Sequence, residues 1–309
     1  MVAFDTNGNA GGGTFAPDNA VGPPSGLGTG SSSTHVHSLG AGGWLILGLG
    51  VPMVDGPGAD FLVAENPFMA SPGQTYAELM FVEVSSNGVD FARFPSRFFG
   101  GDGSAFAINT VGFVSGLAGQ TPVFANPNNP SVDPQDVVEA GGDAFDLADL
   151  RNHPLVVSGA VRLDNIVQIR LVDVVSGQSV DSRGRTILDP SAGSADCDAI
   201  TVIHHAGNVS GSGPQVDVHI PQDGNFTIAI GDPDGLDDLD PASLRVSLYG
   251  LPVDPGALLS IMTVRQLTTR LVVWELGGPL PPGWFLQLGV SVKDRSGTRS
   301  GQVRQRPLN

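Results

Sequence analysis

Short apolar runs, separated by glycine, proline and asparagine, recur along the whole chain, and several alternate apolar and polar positions with a period of two. Trp44–Leu49, Asp60–Glu65, Leu79–Ser85 and Asp90–Phe94 each read as strands. Asn87-Gly88 lies between the last two and predicts a hairpin turn. Strands resume at Ala160–Leu163, Ile166–Val174 and Ala199–His204. Residues 1–42 read as loops around short extended pieces. Residues 96–155 show little periodicity beyond a short helix near Asp143–Leu150, and a stretch of that length in a compact domain is usually functional or metal-organised. A Gly/Ser/Pro-rich break at 208–214 reads as a linker. Beyond it Gln215–Ile220, Phe226–Ile230, Leu244–Tyr249, Leu258–Val264, Arg270–Glu275 and Trp284–Val292 predict a small immunoglobulin-like sandwich. The expectation is an all-β protein with domains at 1–207 and 215–309.

Composition supports strands over helices. Gly 43 and Pro 24 in 309 residues are too many for helix interiors, where glycine costs about 1 kcal/mol and proline about 3 relative to alanine. With 40% hydrophobic residues the chain can bury a core, and the apolar runs argue against disorder. Acids outnumber bases 31 to 15, giving a net charge of -16, and Lys293 is the only lysine. Such a surface repels phosphate, so nucleic acid and anionic lipid are not expected partners. Excess carboxylate either stays solvated, which favours solubility, or takes up cations; extracellular modules bind calcium at roughly 10⁻⁴–10⁻³ M. A single cysteine, Cys197, excludes an internal disulfide framework. No apolar stretch is long enough for a membrane-spanning helix, and no signal peptide is evident at the start of this chain.

Several blocks then carry a resemblance. Asp18-Asn19-Ala20-Val21-Gly22-Pro23-Pro24, Ser38-Leu39-Gly40-Ala41-Gly42-Gly43, the run from Asp55 to Asn66, Phe81-Val82-Glu83-Val84-Ser85 and the run from Ala140 to Asp149 resemble, in order, bacterial secreted cell-surface proteins of planctomycete type. The resemblance covers about residues 1–205. It implies a galactose-binding-like, jelly-roll-like β-sandwich and a secreted or cell-surface location. The family's Phe-Asp-Leu-Asp-Ala-Val strand is here Ala195-Asp196-Cys197-Asp198-Ala199-Ile200, which keeps both acids and lacks the aromatic anchor. The Asp232-Pro233-Asp234-Gly235 region is similar to immunoglobulin-like repeats of bacterial surface proteins.

The candidate metal ligands are all acids. Asp196 and Asp198 head a strand whose same-face successors are Ile200 and Val202, and two carboxylates there need a cation, donors or solvent. Asp143, Asp146 and Asp149 would share one ridge of a helical turn, with Asp143 alternatively favoured by the helix N-terminus. If that segment folds back on the strand bearing Asp60 and Glu65, as the resemblance implies, then Asp60, Glu65, Asp143 and Asp146 could form one site. Asp232, Asp234, Asp237, Asp238 and Asp240 crowd together, but Leu236 and Ser243 occupy positions where an EF-hand needs ligands; a solvated turn and an inter-domain calcium site are the two readings. His35, His37, His204 and His205 read as surface histidines, and Cys197 as a small buried hydrophobe.

The expected function is that of a non-catalytic extracellular module, stabilised by calcium, acting in adhesion or in binding an unknown extracellular ligand, a glycan or a protein. The alternative is a structural subunit that assembles with itself through strand edges into a filament or layer. A secreted hydrolase is the third reading, weakened by the lack of a nucleophile–base or metal spacing.

Overall fold

In the computed structural model, residues 3–7, 15–71, 74–100, 114–189, 193–208, 213–221, 225–278 and 285–307 are described. The fold is all-β, built from antiparallel sheets. One sheet orders its strands as Ala3–Asp5, Trp44–Met53, Ile166–Asp173, Met80–Ser85 and Leu117–Ala118, with Ala92–Arg93 also paired to Met80–Ser85. A three-stranded sheet, Asp143–Phe145, Phe61–Ala64 and Ala199–Val202, faces it across a shared core. Period-two alternation aims Leu45, Leu47, Val82, Val84, Ile169 and Leu171 at Phe61, Val63 and Phe145. The register fixes this arrangement by pairing Leu171 with Leu45 on one side and Val82 on the other. Phe61 stacks on Phe145 with ring centroids 5.3 Å apart and meets the edge of Phe94 at 5.8 Å.

Strand Met80–Ser85 is buried at every position because its second face is covered too, with Phe81 packing among Phe98, Leu117 and Ile187. Glu83 lies on that second face and is tolerated there because Arg93, at 2.7 Å, and Arg170 both reach it. The Asn87-Gly88 turn forms as expected, Gly88 taking the left-handed φ of 76°.

From Gln215 onward two four-stranded sheets stack as a second sandwich. One runs Gln215–His219, Thr227–Gly231, Leu271–Leu276, Met262–Leu267; the other runs Leu251–Val253, Leu239–Leu248, Phe285–Asp294, Arg299–Pro307. Val216, Val218, Ile228 and Ile230 from the first meet Val246, Leu288, Val290 and Val292 from the second. Residues 209–212 of the expected linker, and Trp284, lie outside the described residues.

Four local readings change. Leu258–Val264 is not one strand: Asp254 caps a helix, Pro255–Ser260, by accepting the Gly256 N–H at 3.0 Å, and the strand begins at Met262. Asp143 starts a strand, and Asp146 instead caps the 3-10 helix Leu147–Leu150. Ala160–Leu163 forms turns. Strand Arg299–Pro307 gave no apolar signal because its inward positions are polar: Ser300 Oγ accepts the Val216 N–H at 3.2 Å and Gln302 Oε1 that of Val218 at 2.6 Å.

This last strand also joins the two sandwiches. Gly301 bridges to Gly58 in parallel, its carbonyl accepting the Ala59 N–H at 2.8 Å, and Ser300 Oγ donates to Pro57 O at 2.9 Å. A Cβ on Gly58 would stand 2.4 Å from the Gly301 carbonyl oxygen, so this close approach requires glycine. Lys293 and Arg299, flanking the hairpin at 294–298, clasp Asp133 from the first sandwich at 2.9 and 2.5 Å. Against the opposing effect of burial, these two bases hold the Asp133 carboxyl down at about 2.

Two outcomes are expected. Phe61→Ala should cost about 3–5 kcal/mol in denaturant unfolding, the range for emptying a buried aromatic site. Because the folded-state value of Asp133 lies below its usual 3.8, its contribution is present above that value and lost as pH falls towards 2. Melting-temperature differences between wild type and Asp133→Asn should therefore shrink between about pH 4 and pH 2.

Candidate functional site

Buried acids in this structure fall into two kinds, those supplied with donors and those left with a bare oxygen. Asp143 belongs to the first: it accepts from the N–H groups of Gly119 and Gln120 at 2.8 Å each and from Thr121 Oγ1 at 2.9 Å. Burial nevertheless raises its carboxyl to about 6. Asp198 accepts the Ser25 N–H with both oxygens, at 2.8 and 3.1 Å, and burial again lifts it to about 6. The two acids of the Asp-x-Asp pair thus have separate surroundings, with Cys197 between them fully buried in the main core.

Asp55, Asp60 and Asp146 form the first acid centre, offering oxygens that all lie within 4.8 Å of one another. Asp60 is completely buried and accepts from Gly56 N–H and Leu147 N–H at 2.7 Å each. It also pairs with His204 Nδ1 at 2.9 Å. Arg151 meets Asp55 at 2.8 Å, and Arg304 reaches both Asp146 and Asp149 at 3.1 Å. Two arginines and a histidine therefore meet three acids in a hub of ion pairs and hydrogen bonds, with Asp55 Oδ1 left buried without a partner. Of the four acids that could have shared a site, only Asp60 and Asp146 come together; Asp143 and Glu65 lie elsewhere, because strand alternation and the Asp146 cap turn them to different surroundings. His204, read as a surface residue, is 6% exposed, and His37 is fully buried. The apolar strand leading into His204 was a usable sign of the former.

Glu65 belongs to a second centre in which, among the described residues, no lysine or arginine is ion-paired, the nearby base being His37 beside Asp196. With it stand Glu78, Asp173, Asp189 and Asp196 from four other stretches of chain; of these only Glu65 and Asp196 were singled out from sequence. Glu65 Oε1 accepts the Asp196 N–H at 3.2 Å, Asp189 Oδ2 that of Leu79 at 3.2 Å, and Tyr76 donates its hydroxyl to Glu78 at 3.3 Å. Asp173 is satisfied by the N–H groups of Gly42 and Ala195, each at 2.8 Å. Glu65 Oε2, Asp189 Oδ1 and Asp196 Oδ1 are buried with no hydrogen-bond partner. Burial, then the neighbouring charges of Glu78 and Asp196, push Glu65 well above the carboxylate range, and burial followed by Asp196 lifts Glu78 to about 8.

The third centre is Asp232, Asp234 and Asp238, whose oxygens also lie within 4.8 Å of one another. Asp232 Oδ1 accepts the Asp234 N–H at 2.8 Å, while its Oδ2 is buried without a partner. Asp294 adds a further negative charge beside Asp238, and Arg295 a partly offsetting positive one. Among the described residues no base is ion-paired to this group. The turn is held by Asp232 N–H to Arg270 O at 3.0 Å and by Arg295 N–H to Asp238 O at 2.8 Å.

A hollow of about 510 Å³ opens between the sandwiches, with Arg97 and Arg183 on one wall and Gln287, Arg304 and Gln305 on the other. Fold and centres together define an all-β protein of two sandwiches joined by a seam of paired acids and bases, with a further acid cluster in each. No family model matches the chain, and no curated protein matches it.

Removing the base from a buried pair strands the acid. His204→Ala should destabilise the protein by about 3 kcal/mol in urea unfolding, while a change at exposed His35 should leave the midpoint in place.

Proposed function

We propose that the protein is a non-catalytic extracellular module, secreted or held at a cell surface, that is stabilised by calcium and binds an external ligand. The observation that carries this reading is the Asp232, Asp234 and Asp238 group: three acids at ligand spacing, one with a buried bare oxygen, and, among the described residues, no base ion-paired to them. Calcium suits such a set because it takes six to eight hard oxygens in an adaptable geometry. Aspartates on a turn, supplemented by carbonyl groups and water, supply ligands of that kind. These residues would hold the ion and so tie the turn after strand Thr227–Gly231 to the hairpin that carries Asp294.

The remaining chemistry favours a binding role over catalysis. Cys197 is sealed in the core and burial pushes its thiol well up, the reverse of what a nucleophilic thiolate requires. Asp60 and His204 resemble two members of a catalytic triad, yet Asp60 is occupied by two backbone donors as well as the imidazole, and its role is to close the fold. The hollow between the sandwiches, with arginines on both walls, offers a concave surface of small-ligand size.

Thermal melts in chelator and in millimolar calcium test the reading. At a hundredfold excess over the dissociation constant, linkage gives about 2.7 kcal/mol, enough to raise the midpoint by several degrees. Asp232→Asn should reduce that rise. Superimposable melts with and without calcium would remove calcium from the proposal.

A further inference from the structure

We propose that the hollow between the sandwiches binds a short anionic saccharide, its charged group seated on Arg97 and Arg183 and its hydroxyl groups on the opposite wall. This rests on the ligand-binding role proposed above, and not on calcium.

Charge in the hollow is uneven. Arg97 and Arg183 stand on one wall, and among the described residues neither is ion-paired to an acid, although acids outnumber bases 31 to 15 in this chain. Arg93, Arg151, Arg170, Arg245 and Arg304, by contrast, all meet carboxylates. Asp181 feels the charge of Arg97, yet spends its oxygens on the N–H groups of Phe98, Arg183 and Arg185 at 2.9, 2.8 and 2.9 Å. Ser182 Oγ accepts the Ser96 N–H at 2.9 Å. These bonds clamp the 181–185 loop to strand Arg97–Phe98, so both arginines rise from one framework. A guanidinium with open donors favours carboxylate or sulfate oxygens, which it can meet with two parallel bonds.

The opposite wall suits hydroxyl groups. Arg304 is already neutralised there by Asp146 and Asp149, and the half-exposed Asp149 carboxylate and the Gln305 amide stand beside it. Asp143, also in the lining, is already supplied with three donors. Ser96 and Gln120 line the hollow too, and Ser96 Oγ and Gln120 Oε1 are buried with no partner, while Gln120 Nε2 is fixed on Leu117 O at 2.8 Å. Ligand hydroxyls, or water that they order, supply such partners. The apolar lining residues Phe94, Leu117 and Phe145 are sealed in the core, so an aliphatic or aromatic acid gains little. A peptide of several acids would set further negative charge against Asp149. The volume of about 510 Å³ fits a small ligand. A net charge of -16 repels a long polyanion running out over the surface, whereas a short ligand confined to the hollow meets the local arginines.

Calorimetric titration with trigalacturonate, a sulfated galactose trisaccharide, neutral galactotriose and triglutamate tests the site. At least one anionic trisaccharide should bind one to one, the pair showing whether carboxylate or sulfate is preferred, and galactotriose should bind about tenfold more weakly or worse. Arg97→Gln and Arg183→Gln should each weaken binding by about tenfold or more and leave the urea midpoint in place, since neither arginine holds an ion pair among the described residues. Gln305→Ala should weaken the saccharide without any change of charge. The proposal is overturned if neither anionic trisaccharide binds, if binding survives the double arginine variant unchanged, or if triglutamate binds as tightly. Calcium melts read out separately: a calcium-dependent midpoint with no saccharide binding removes the saccharide alone, and saccharide binding with superimposable melts removes calcium alone.

Discussion

A completely buried carboxylate, Asp60, is the constraint around which the first sandwich is organised. It begins the central strand of the smaller sheet and draws three other pieces of chain to itself: the turn at Gly56, the 3-10 helix at Leu147 and the chain end of the outer strand at His204. A buried charge tolerates few arrangements of its partners, since each missing donor costs about as much as a lost core methyl group or more. The apolar core beside it could be filled in several ways. The hydrogen bonds to Asp60 select one, and through it the orientation of Asp146 towards the second sandwich.

The seam between the sandwiches extends this logic. Its apolar part is modest, drawn from small residues such as Ala59, Val137 and Ala140. The polar part is extensive, and in each pair the acid belongs to the first body and the base to the second: Asp133 with Lys293 and Arg299, Glu139 with Arg245, Asp146 with Arg304. A chain with a large acidic excess thus concentrates scarce bases where they neutralise partly buried acids. Such pairs contribute modest stability each but discriminate sharply among docking geometries.

Much of the architecture was legible in the sequence because period-two alternation survives wherever one face of a strand meets a core. Trp44–Met53, Ile166–Asp173 and the strands around Val216 and Ile228 all carry it, whereas Met80–Ser85, covered on both faces, read as an apolar run. Strand Arg299–Pro307 was invisible for the opposite reason, since its partners are backbone amides and carboxylates that ask for serine, glutamine and arginine. Helix Pro255–Ser260 was overlooked although Asp254-Pro255 is a sound start signal. At the acid centres the sequence showed which residues were candidates without showing how they group. Glu65 and Asp196 were visible as acids beside apolar strands, whereas Glu78 and Asp189 owe their place to tertiary contacts, and no spacing announces those.

The parallel bridge from Gly301 to Gly58 has a mechanical side. Strand Arg299–Pro307 is hydrogen-bonded along its length to Phe285–Asp294 and also tied sideways to Pro57, Ala59 and Asp146 of the other body. Tension applied along this strand is therefore resisted by many bonds loaded in shear, all of which must yield together, and part of that load passes directly into the first sandwich. The two bodies share the pull through their folded surfaces, and the connecting segment between them need carry little of it.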